Sequence, residues 1–425
     1  MPGYDPIVFQ NPDRVLADGF LVATYYLEVA ASTDLVKKAG DIAVGQTTGG
    51  WLELPRATRD VSERAVGRVL SVTEVPPYED RRPIPENEPR RAVVRIAFPV
   101  DNFGADIGAM LVAIYGKVSL DGAIKLVDLE LPPALVAALP GPKHGIEGIR
   151  KQVAAPERPL TMSIFKPTLG LPVEALADMI AEQAAGGIDL VKDDEVLTDV
   201  TVDSALKRVD LCRKAAKKAR PNGAQVIHAV SLTGPADELV SRARRLSAEG
   251  AGALLFNALA YGLPMMAAIA KDSGVTSPIM AHPALAGGMA LEAQHGIAAH
   301  LLLGKLMRLA GADLVLFPSP YGSVGLRRES ALKLSFTLTR PLHGMKPAVP
   351  VPSAGITPAL VPQLIADYGH DVVVNAGGAV HGHPDGARAG AEAFVAAVDA
   401  TFKKVSLADA AGKSPALKKA MEIWK

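Results

Sequence analysis

From residue 162 onward, short apolar runs alternate with longer stretches in which apolar residues recur at helical spacing. This alternation predicts parallel strands joined by crossover helices. Eight such units in roughly 250 residues match the size of a (β/α)8 barrel. An open doubly wound sheet is the rival, but no Gly-x-Gly-x-x-Gly follows the first run, and eight units would be many for it. We therefore predict a barrel with strands at 162–165, 188–192, 224–230, 253–259, 277–282, 312–317, 348–352 and 371–377.

The first third of the chain mixes strand-like and helix-like segments, which predicts an α+β domain. Apolar runs at 19–29 and 92–100 predict two of its strands. Asp121-Gly122 lies between two alternating runs, which predicts a β-hairpin. The Pro- and charge-rich segment 76–91 predicts an exposed loop.

Prolines recur through 132–160, which makes this segment the best candidate for a domain boundary. We predict an N-terminal α+β domain over 1–145 and a C-terminal barrel over 146–425. Two domains also agree with the chain length, which exceeds the ~100–200 residues of one ordinary domain.

Composition excludes several classes of protein. Among 425 residues, 45 Lys and Arg balance 45 Asp and Glu, which excludes a strongly basic nucleic-acid binder. The single cysteine, Cys212, excludes a disulfide scaffold and a cysteine-cluster zinc site. Charges interrupt every apolar run before the ~18–20 residues of a membrane span, and the N-terminus lacks a secretory pattern. We expect a cytoplasmic protein without nucleic-acid or membrane partners.

Barrel active sites lie at the carboxyl ends of the strands, so polar residues just after each apolar run are the candidates. The densest group is Lys192-Asp193-Asp194-Glu195, after the second run. Strand alternation puts Lys192 and Asp194 on one face, and Glu195 can join them where the strand ends. Clustered carboxylates suit Mg²⁺, which takes oxygen ligands. An ordinary ion-paired rim is the alternative, and the position at a barrel strand end disfavours it.

Small residues follow the last two runs, in PSAGI (352–356) and NAGGAVHG (375–382). Barrels often bind phosphate between the loops after strands seven and eight, where backbone N–H groups meet the anion. Glycines at one of these places could simply form a turn. Because both places carry them, the pattern favours a phosphorylated substrate.

Four other features have simple structural explanations. The motif His381-Gly-His383-Pro-Asp385 resembles a metal motif, but a loop with Asp385 as a helix N-cap explains it better. Cys212 fits a packed apolar position. His282 is either a substrate contact or a satisfied core histidine. Lys117, taken alone, is an exposed surface lysine.

Two motifs carry a resemblance to a known family, namely Lys166-Pro-Thr-Leu-Gly-Leu171 and GGIDLVKDDE (186–195). With them the sequence resembles the large chain of RuBisCO and its relatives, over nearly the whole chain. The segment AVGQTTGGW (43–51) looks like the Thr-Gly-x-Trp loop of that family. The resemblance implies an α+β N-terminal domain of the ferredoxin-like type before the barrel.

The resemblance also implies roles for individual residues. Lys192 would be carbamylated by CO2 and would bind Mg²⁺ together with Asp194 and Glu195. Lys166 would contact the substrate oxygens that become the enediolate. The other matching positions would contact the substrate's phosphate or hydroxyl groups: His282, Ser353, Gly355, Gly377 and Gly378.

Several positions that carboxylating members use are different here. Thr168 stands where they have a second lysine, and Pro283 stands where they have an arginine. The segment LFPSPYGSVGL (316–326) lacks both the histidine and the lysine that they carry after the sixth strand. The residues that the resemblance assigns to metal binding and enolisation are present. The residues that handle CO2 as a substrate are not. The resemblance is therefore to a RuBisCO-like protein that does not fix CO2.

Within that group, segments 280–287, 311–324 and 375–386 look most like the enolases that act on 2,3-diketo-5-methylthiopentyl 1-phosphate in methionine salvage. Those enolases have Lys-Gly-Met after the first barrel strand, whereas this chain has Lys166-Pro-Thr. Their base is a lysine of the neighbouring subunit, and Lys117 lies at the matching place, which implies a homodimer or a higher oligomer of dimers. Two alternatives stay open: decarboxylation or hydrolysis of 3-oxo-isoapionate 4-phosphate, and a non-catalytic scaffold or stress protein.

Overall fold

The computed structural model describes residues 7–10, 19–49, 59–75, 87–221 and 223–424. They fall into two compact units. The first unit extends to Leu139 and includes Leu285–Leu302, and the second runs from Pro140 to Ala284 and resumes at Leu303. The chain therefore leaves the second unit once, contributes a segment to the first, and returns. Within the described ranges, no helix has the length and apolar character needed to cross a membrane.

A five-stranded sheet forms the centre of the first unit. Its strands are β1 (Phe20–Val29), β2 (Arg68–Glu74), β3 (Arg90–Pro99), β4 (Ala123–Glu130) and β10 (Gly296–Ile297). The order is β10-β4-β1-β3-β2. β1 pairs antiparallel with both β3 and β4, whereas β10 adds in parallel to the outer edge of β4. The order 4-1-3-2 of the first four strands, with helical segments after β1 and after β3, confirms the ferredoxin-like prediction.

The helix Leu35–Gly45 shows how local sequence determines where a helix of this unit begins and which face it buries. The carboxylate of Asp34 accepts hydrogen bonds from the backbone N–H groups of Val36 and Lys37, at 2.9 and 3.0 Å, and so begins the helix. Leu35, Ala39 and Ile42 are buried along one face. The other helices of the unit are Arg59–Ala65, Ile107–Leu111, Pro133–Ala138 and Ala286–Ala290.

The predicted hairpin at Asp121-Gly122 is wrong. Asp106 caps the helix Ile107–Leu111, which continues as a π-helix over Val112–Gly116 and a 3-10 helix over Lys117–Leu120. The turn at Gly122, where φ is +78°, therefore joins a helix to β4 instead of joining two strands. The residues before Asp121 therefore continue the capped helix, although their alternating pattern fits a strand.

The predicted loop at 76–91 ends earlier than expected, because β3 begins at Arg90. Residues 76–86 lie outside the described residues, as do Gly50 and Trp51 at the end of the Thr-Gly-x-Trp-like segment.

The second unit is an eight-stranded parallel barrel, as predicted. Its strand order is β12-β11-β9-β8-β7-β6-β5-β13, and each neighbouring pair in this order is parallel. The terminal strands of that order contact each other and close the barrel, and a 2.8 Å hydrogen bond from Asn375 Nδ2 to Ser353 Oγ joins them. The strands are β5 (Leu160–Ile164), β6 (Leu190–Lys192), β7 (Ile227–Ser231), β8 (Ala253–Phe256), β9 (Ile279–Ala281), β11 (Leu314–Pro318), β12 (Val349–Ser353) and β13 (Val373–Ala376).

The barrel interior is a packed apolar core. Ile146 and Ile149, from the helix that precedes β5, belong to the same cluster as Leu160, Leu314 and Val373. The last three begin their strands, so the helix covers the amino end of the barrel and leaves the carboxyl end for the site. The helices of this unit are Gly145–Gln152, Val173–Ala185, Val202–Ala219, Leu239–Glu249, Ala258–Tyr261, Leu263–Lys271, Met307–Leu309, Arg328–Thr339, Val361–Tyr368, Gly378–His381, Gly386–Phe402, Leu407–Ala411 and Pro415–Ile423.

Candidate active site

Lys192 and its carboxylate neighbours form the centre of the candidate site. Lys192 is the last residue of β6, and its side chain is almost fully buried. Its Nζ donates to the carbonyl oxygen of Asp193 at 2.8 Å and lies 3.3 Å from Oε2 of Glu195. Burial lowers the pKa of the Lys192 amine, and the nearby carboxylates oppose that shift. The site thus holds an amine that burial drives toward its neutral form.

Lys166 lies beside this group, two residues after β5. It forms an ion pair with the buried carboxylate of Asp194, while about half of the Lys166 side chain stays exposed. Asp194 is therefore held at the base of the site and Lys166 at its surface. The sequence prediction that the strand ends bring Lys166, Lys192, Asp194 and Glu195 together agrees with this geometry.

Glu195 and His282 form a second polar contact of the site. His282 follows β9, and its Nε2 lies 3.3 Å from Oε2 of Glu195. Burial would raise the pKa of Glu195, but the charges of Lys192 and His282 outweigh it and lower the value to about 2. Burial and the charge of Lys192 lower the pKa of His282 to about 4. Near neutral pH, Glu195 is anionic and His282 is neutral.

Asp193 belongs to a separate buried network behind the site. Its Oδ2 accepts from Nε of Arg208 at 2.9 Å and from the backbone N–H of Ser231 at 2.8 Å. Its Oδ1 lies 2.8 Å from Nε2 of His228. Burial would raise the pKa of Asp193, but the charges of Arg208 and His228 outweigh it and lower the pKa to about 2. Because the Asp193 carbonyl also accepts from Lys192, this network fixes the lysine.

Sequence reasoning missed Arg208 and His228, which contact Asp193, and Asp199, which pairs with Arg208. Arg208 also donates to both carboxylate oxygens of Asp199, at 2.9 and 2.7 Å. The one available signal was that Arg208 occupies the apolar face of the helix Val202–Ala219, next to the buried Ala205 and Val209. An arginine at such a position needs a buried partner.

The glycine-bearing loops after β12 and β13 lie at the same end of the barrel. Ser353 Oγ accepts from Asn375 and donates to the carbonyl of Val351 at 2.9 Å. Gly355 has φ of +67°, and a Cβ there would lie 2.8 Å from the backbone nitrogen of Ser323. At Gly377 an added Cβ would meet Lys166 Cγ at 3.7 Å, and at Gly378 it would meet only open space. The loop after β13 therefore borders Lys166, and Gly355 in the loop after β12 is required by packing.

The remaining candidate residues make contacts that explain them as structural residues. His381 Nε2 is hydrogen-bonded to the carbonyl of Ile164 at 2.9 Å, and His383 Nε2 to that of Ala416 at 3.0 Å. Asp385 immediately precedes the helix Gly386–Phe402, but its side chain makes no capping hydrogen bond and pairs with Lys419 instead. The predicted cap is thus right in position and wrong in its side-chain contact.

Two further predictions concern Cys212 and Lys117. Cys212 is buried, and burial raises the pKa of its thiol to about 12, which confirms a packed position. Lys117 is exposed in the 3-10 helix of the first unit. It is thus not one of the barrel residues that the strand ends bring together.

The donor set determines which metal site the barrel could hold. Among the described residues, no group of three or more His, Cys, Asp and Glu could hold a metal ion. Asp194 and Glu195 supply only two carboxylates, so a third oxygen ligand must come from elsewhere. A carbamate on Lys192 would provide it, and this residue lies within reach of Glu195.

The fold and the site together define a (β/α)8-barrel protein with a buried lysine among carboxylates at its strand ends. The family model for the ribulose bisphosphate carboxylase large chain catalytic domain matches residues 145–324 and 326–424, and the model for the large chain N-terminal domain matches residues 9–135. The chain therefore belongs to the RuBisCO large-chain family.

Individual relatives are similar to the whole chain. The 2,3-diketo-5-methylthiopentyl-1-phosphate enolase of Geobacillus kaustophilus is 45% identical over 405 residues, which cover 95% of this chain and 98% of that protein. The enzyme of the same name from Bacillus licheniformis is 43% identical over 407 residues, with coverage of 95% and 98%.

Solved structures agree with this family assignment. A rubisco-like protein (MtnW) from Alicyclobacillus acidocaldarius has a TM-score of 0.87 and 44% identity, over 96% of this chain and 100% of that one. The dimeric archaeal Rubisco from Hyperthermus butylicus has a TM-score of 0.83 and 25% identity, with coverage of 95% and 96%. The family thus contains both enolases and carboxylases, and the chain shares more identity with the former.

Proposed function

We propose that this chain is an enolase that removes a proton from 2,3-diketo-5-methylthiopentyl 1-phosphate, the substrate in the names of its relatives. The observation that carries the proposal is the group Lys166, Lys192, Asp194 and Glu195 at the ends of β5 and β6. A non-catalytic scaffold would have no physical reason to keep this group, because burying charged side chains costs free energy.

The residues of this group fit a Mg²⁺ site once Lys192 is carbamylated. Burial favours the neutral amine of Lys192, which can form a bond to the carbon of CO2 and release a proton. The product is an anionic carbamate, so Lys192, Asp194 and Glu195 would offer three oxygen donors of the kind that Mg²⁺ takes. When bound, Mg²⁺ would stabilise negative charge on the oxygens of the substrate.

The side chains around this group would bind and orient the substrate. Lys166 donates to the oxygen that gains charge when the proton leaves, and its half-exposed position allows that contact. The phosphate lies against Ser353, Gly355, Gly377 and Gly378, and the open space at Gly378 leaves room for an anion. His282, which follows β9 and is mostly buried, contributes a hydrogen bond to the phosphate.

The base in this proposal is Lys117 of a second subunit. Lys117 is exposed on the first unit, so it is accessible to another copy of the chain. Its amine takes the α-proton of the substrate, and the electron pair of the broken C–H bond moves to the carbonyl oxygen. The active form is therefore a homodimer or a larger oligomer built from dimers.

Carboxylation of the enolate is not part of the proposed reaction. Thr168 is buried, and its hydroxyl donates to the carbonyl of Phe165 at 3.0 Å, so it supplies no cation to the site. Pro283 and the lysine-free segment 316–326 likewise lack the charged groups expected of a carboxylase.

The test follows enol absorbance after the diketo phosphate is mixed with protein, Mg²⁺ and bicarbonate. We expect rapid enolisation by the wild type, and a loss of at least about 100-fold in Lys117→Ala, because a general base contributes about that much or more. Lys37→Ala is the matched control, since Lys37 is an exposed lysine of the same unit.

Three outcomes would count against the proposal. Full activity of Lys117→Ala would exclude Lys117 as the base. Equal loss in Lys37→Ala would mean that the effect is not specific to that position. Absence of turnover by wild-type protein that still binds Mg²⁺ would exclude this substrate and move the assignment to the 3-oxo-isoapionate phosphate.

A further inference from the structure

A cavity lies at the amino end of the barrel, opposite the candidate active site. It has a volume of about 320 Å³ and is bounded by the last turns of the helix Val202–Ala219 and by residues just before β7 and β8. This volume is within the range of sites that hold small molecules. Its position at the amino ends of the strands separates it from the substrate pocket.

The cavity has a strongly positive lining. Arg213, Lys217 and Arg220 border it, and none of the described lining residues is an Asp or a Glu. Arg213 shares the carboxylate of Asp210 with Lys214, at 3.2 and 2.7 Å, so that one anion serves two cations. Arg220 donates to the carbonyl of Ile188, just before β6, at 3.0 Å. Part of the remaining charge complements the carbonyls at the end of the helix Val202–Ala219. The remaining positive charge favours an anionic ligand.

One buried wall residue also offers a hydrogen-bonding position. His228 borders the cavity, and only 6% of its side chain is exposed. Its Nε2 is engaged by Asp193, whereas its Nδ1 is buried without a hydrogen-bond partner among the described residues. A buried polar atom of this kind is costly unless a ligand or a water satisfies it.

We propose that this cavity binds a small phosphorylated or doubly anionic metabolite, with Arg213 and Lys217 neutralising the anion and His228 Nδ1 accepting a hydrogen bond from a hydroxyl group of the ligand. Arginine and lysine are the side chains that bind phosphate oxygens in charge-assisted hydrogen bonds. The ligand would lie one side chain away from Asp193, and hence from the loop that carries Lys192.

The test measures inorganic phosphate bound per chain by equilibrium dialysis at fixed ionic strength. The variant Arg213→Gln/Lys217→Gln is compared with Lys214→Gln/Lys218→Gln. Both pairs remove two positive charges from one helix and one of the two partners of Asp210, but only the first pair borders the cavity. We expect a loss of affinity of at least about tenfold in the cavity variant only.

Equal phosphate binding by the wild type and both variants would overturn the proposal. Equal loss in the two double variants would also overturn it, because the effect would then be general to the charge of the helix. The dialysis does not use turnover, and the proposed phosphate contacts at the strand ends are unchanged in all three proteins. The result is therefore independent of whether the enolase proposal holds.

Discussion

Replacing Arg208 by Met tests whether the buried network behind Lys192 stabilises both the fold and the site. The substitution removes one partner of Asp193 and of Asp199 and leaves an apolar side chain of similar length. Only 2% of the Arg208 side chain is exposed, so water cannot replace the lost hydrogen bonds. Breaking a buried ion pair in this way costs about 3–5 kcal/mol. We expect a decrease of that size in the free energy of unfolding.

The same substitution should also weaken metal binding. Asp193 accepts from Lys192 through its carbonyl oxygen, so a shift of Asp193 after the loss of Arg208 also displaces the lysine. We expect lower affinity for Mg²⁺ in the presence of bicarbonate, measured by titration calorimetry on folded protein.

Lys207→Met is the matched control for Arg208→Met. Lys207 precedes Arg208 on the same helix, but its ion pair with Glu174 is exposed on both sides. Such pairs contribute at most about 1 kcal/mol, so this variant should unfold near the wild-type urea midpoint. Equal midpoints for the two variants would refute the reasoning. Adding Asp199→Asn to Arg208→Met should recover part of the loss, since one uncompensated buried carboxylate is removed.

Three further predictions concern pH, subunit exchange and glycine. The pKa of His282 is about 4 in the folded chain and 6.5 in the unfolded chain, so the unfolded chain binds the proton first as pH falls. The free energy of unfolding should therefore decrease between about pH 6.5 and pH 4. His282→Gln should flatten that part of the urea-midpoint profile, and the same change at the exposed His295 should not. Mixing inactive Lys117→Ala with inactive Lys192→Ala should restore about a quarter of the wild-type rate, because half of the random dimers carry one intact site; no recovery would place both residues in one subunit. Gly355→Ala should lower stability by about 1–3 kcal/mol, since its backbone is left-handed and its Cβ would meet Ser323; Gly378→Ala should leave stability unchanged and raise KM instead.

The barrel could be predicted from sequence because each of its units repeats the same contrast between a short buried strand and an amphipathic helix. The predicted apolar runs all overlap strands of the structure. The centre of the site was predictable for a similar reason. Lys192, Asp194 and Glu195 are nearly contiguous, so their proximity needs no tertiary information.

The errors and omissions come from interactions that a local pattern does not contain. The alternating residues before Asp121 fit a strand, but the helix that Asp106 begins continues through them. Asp193 lies 15 and 35 residues from Arg208 and His228, so only the folded barrel brings them together. Gly355 is likewise required by a distant contact, because a Cβ there would clash with the backbone at Ser323, 32 residues earlier in the chain.

The excursion of residues 285–302 out of the barrel and into the first unit limits how the two halves can be separated. Strand β10 covers the outer edge of β4, and Lys125 of β4 donates to the carbonyl of Ala290 at 3.1 Å within that segment. During synthesis, the N-terminal sheet therefore keeps an open edge until most of the first five barrel units have left the ribosome. A fragment ending at Leu139 would retain that edge permanently, and unpaired edges promote association between chains. The N-terminal unit is thus contiguous in space but not in the gene, and shuffling it as an independent module would leave it incomplete.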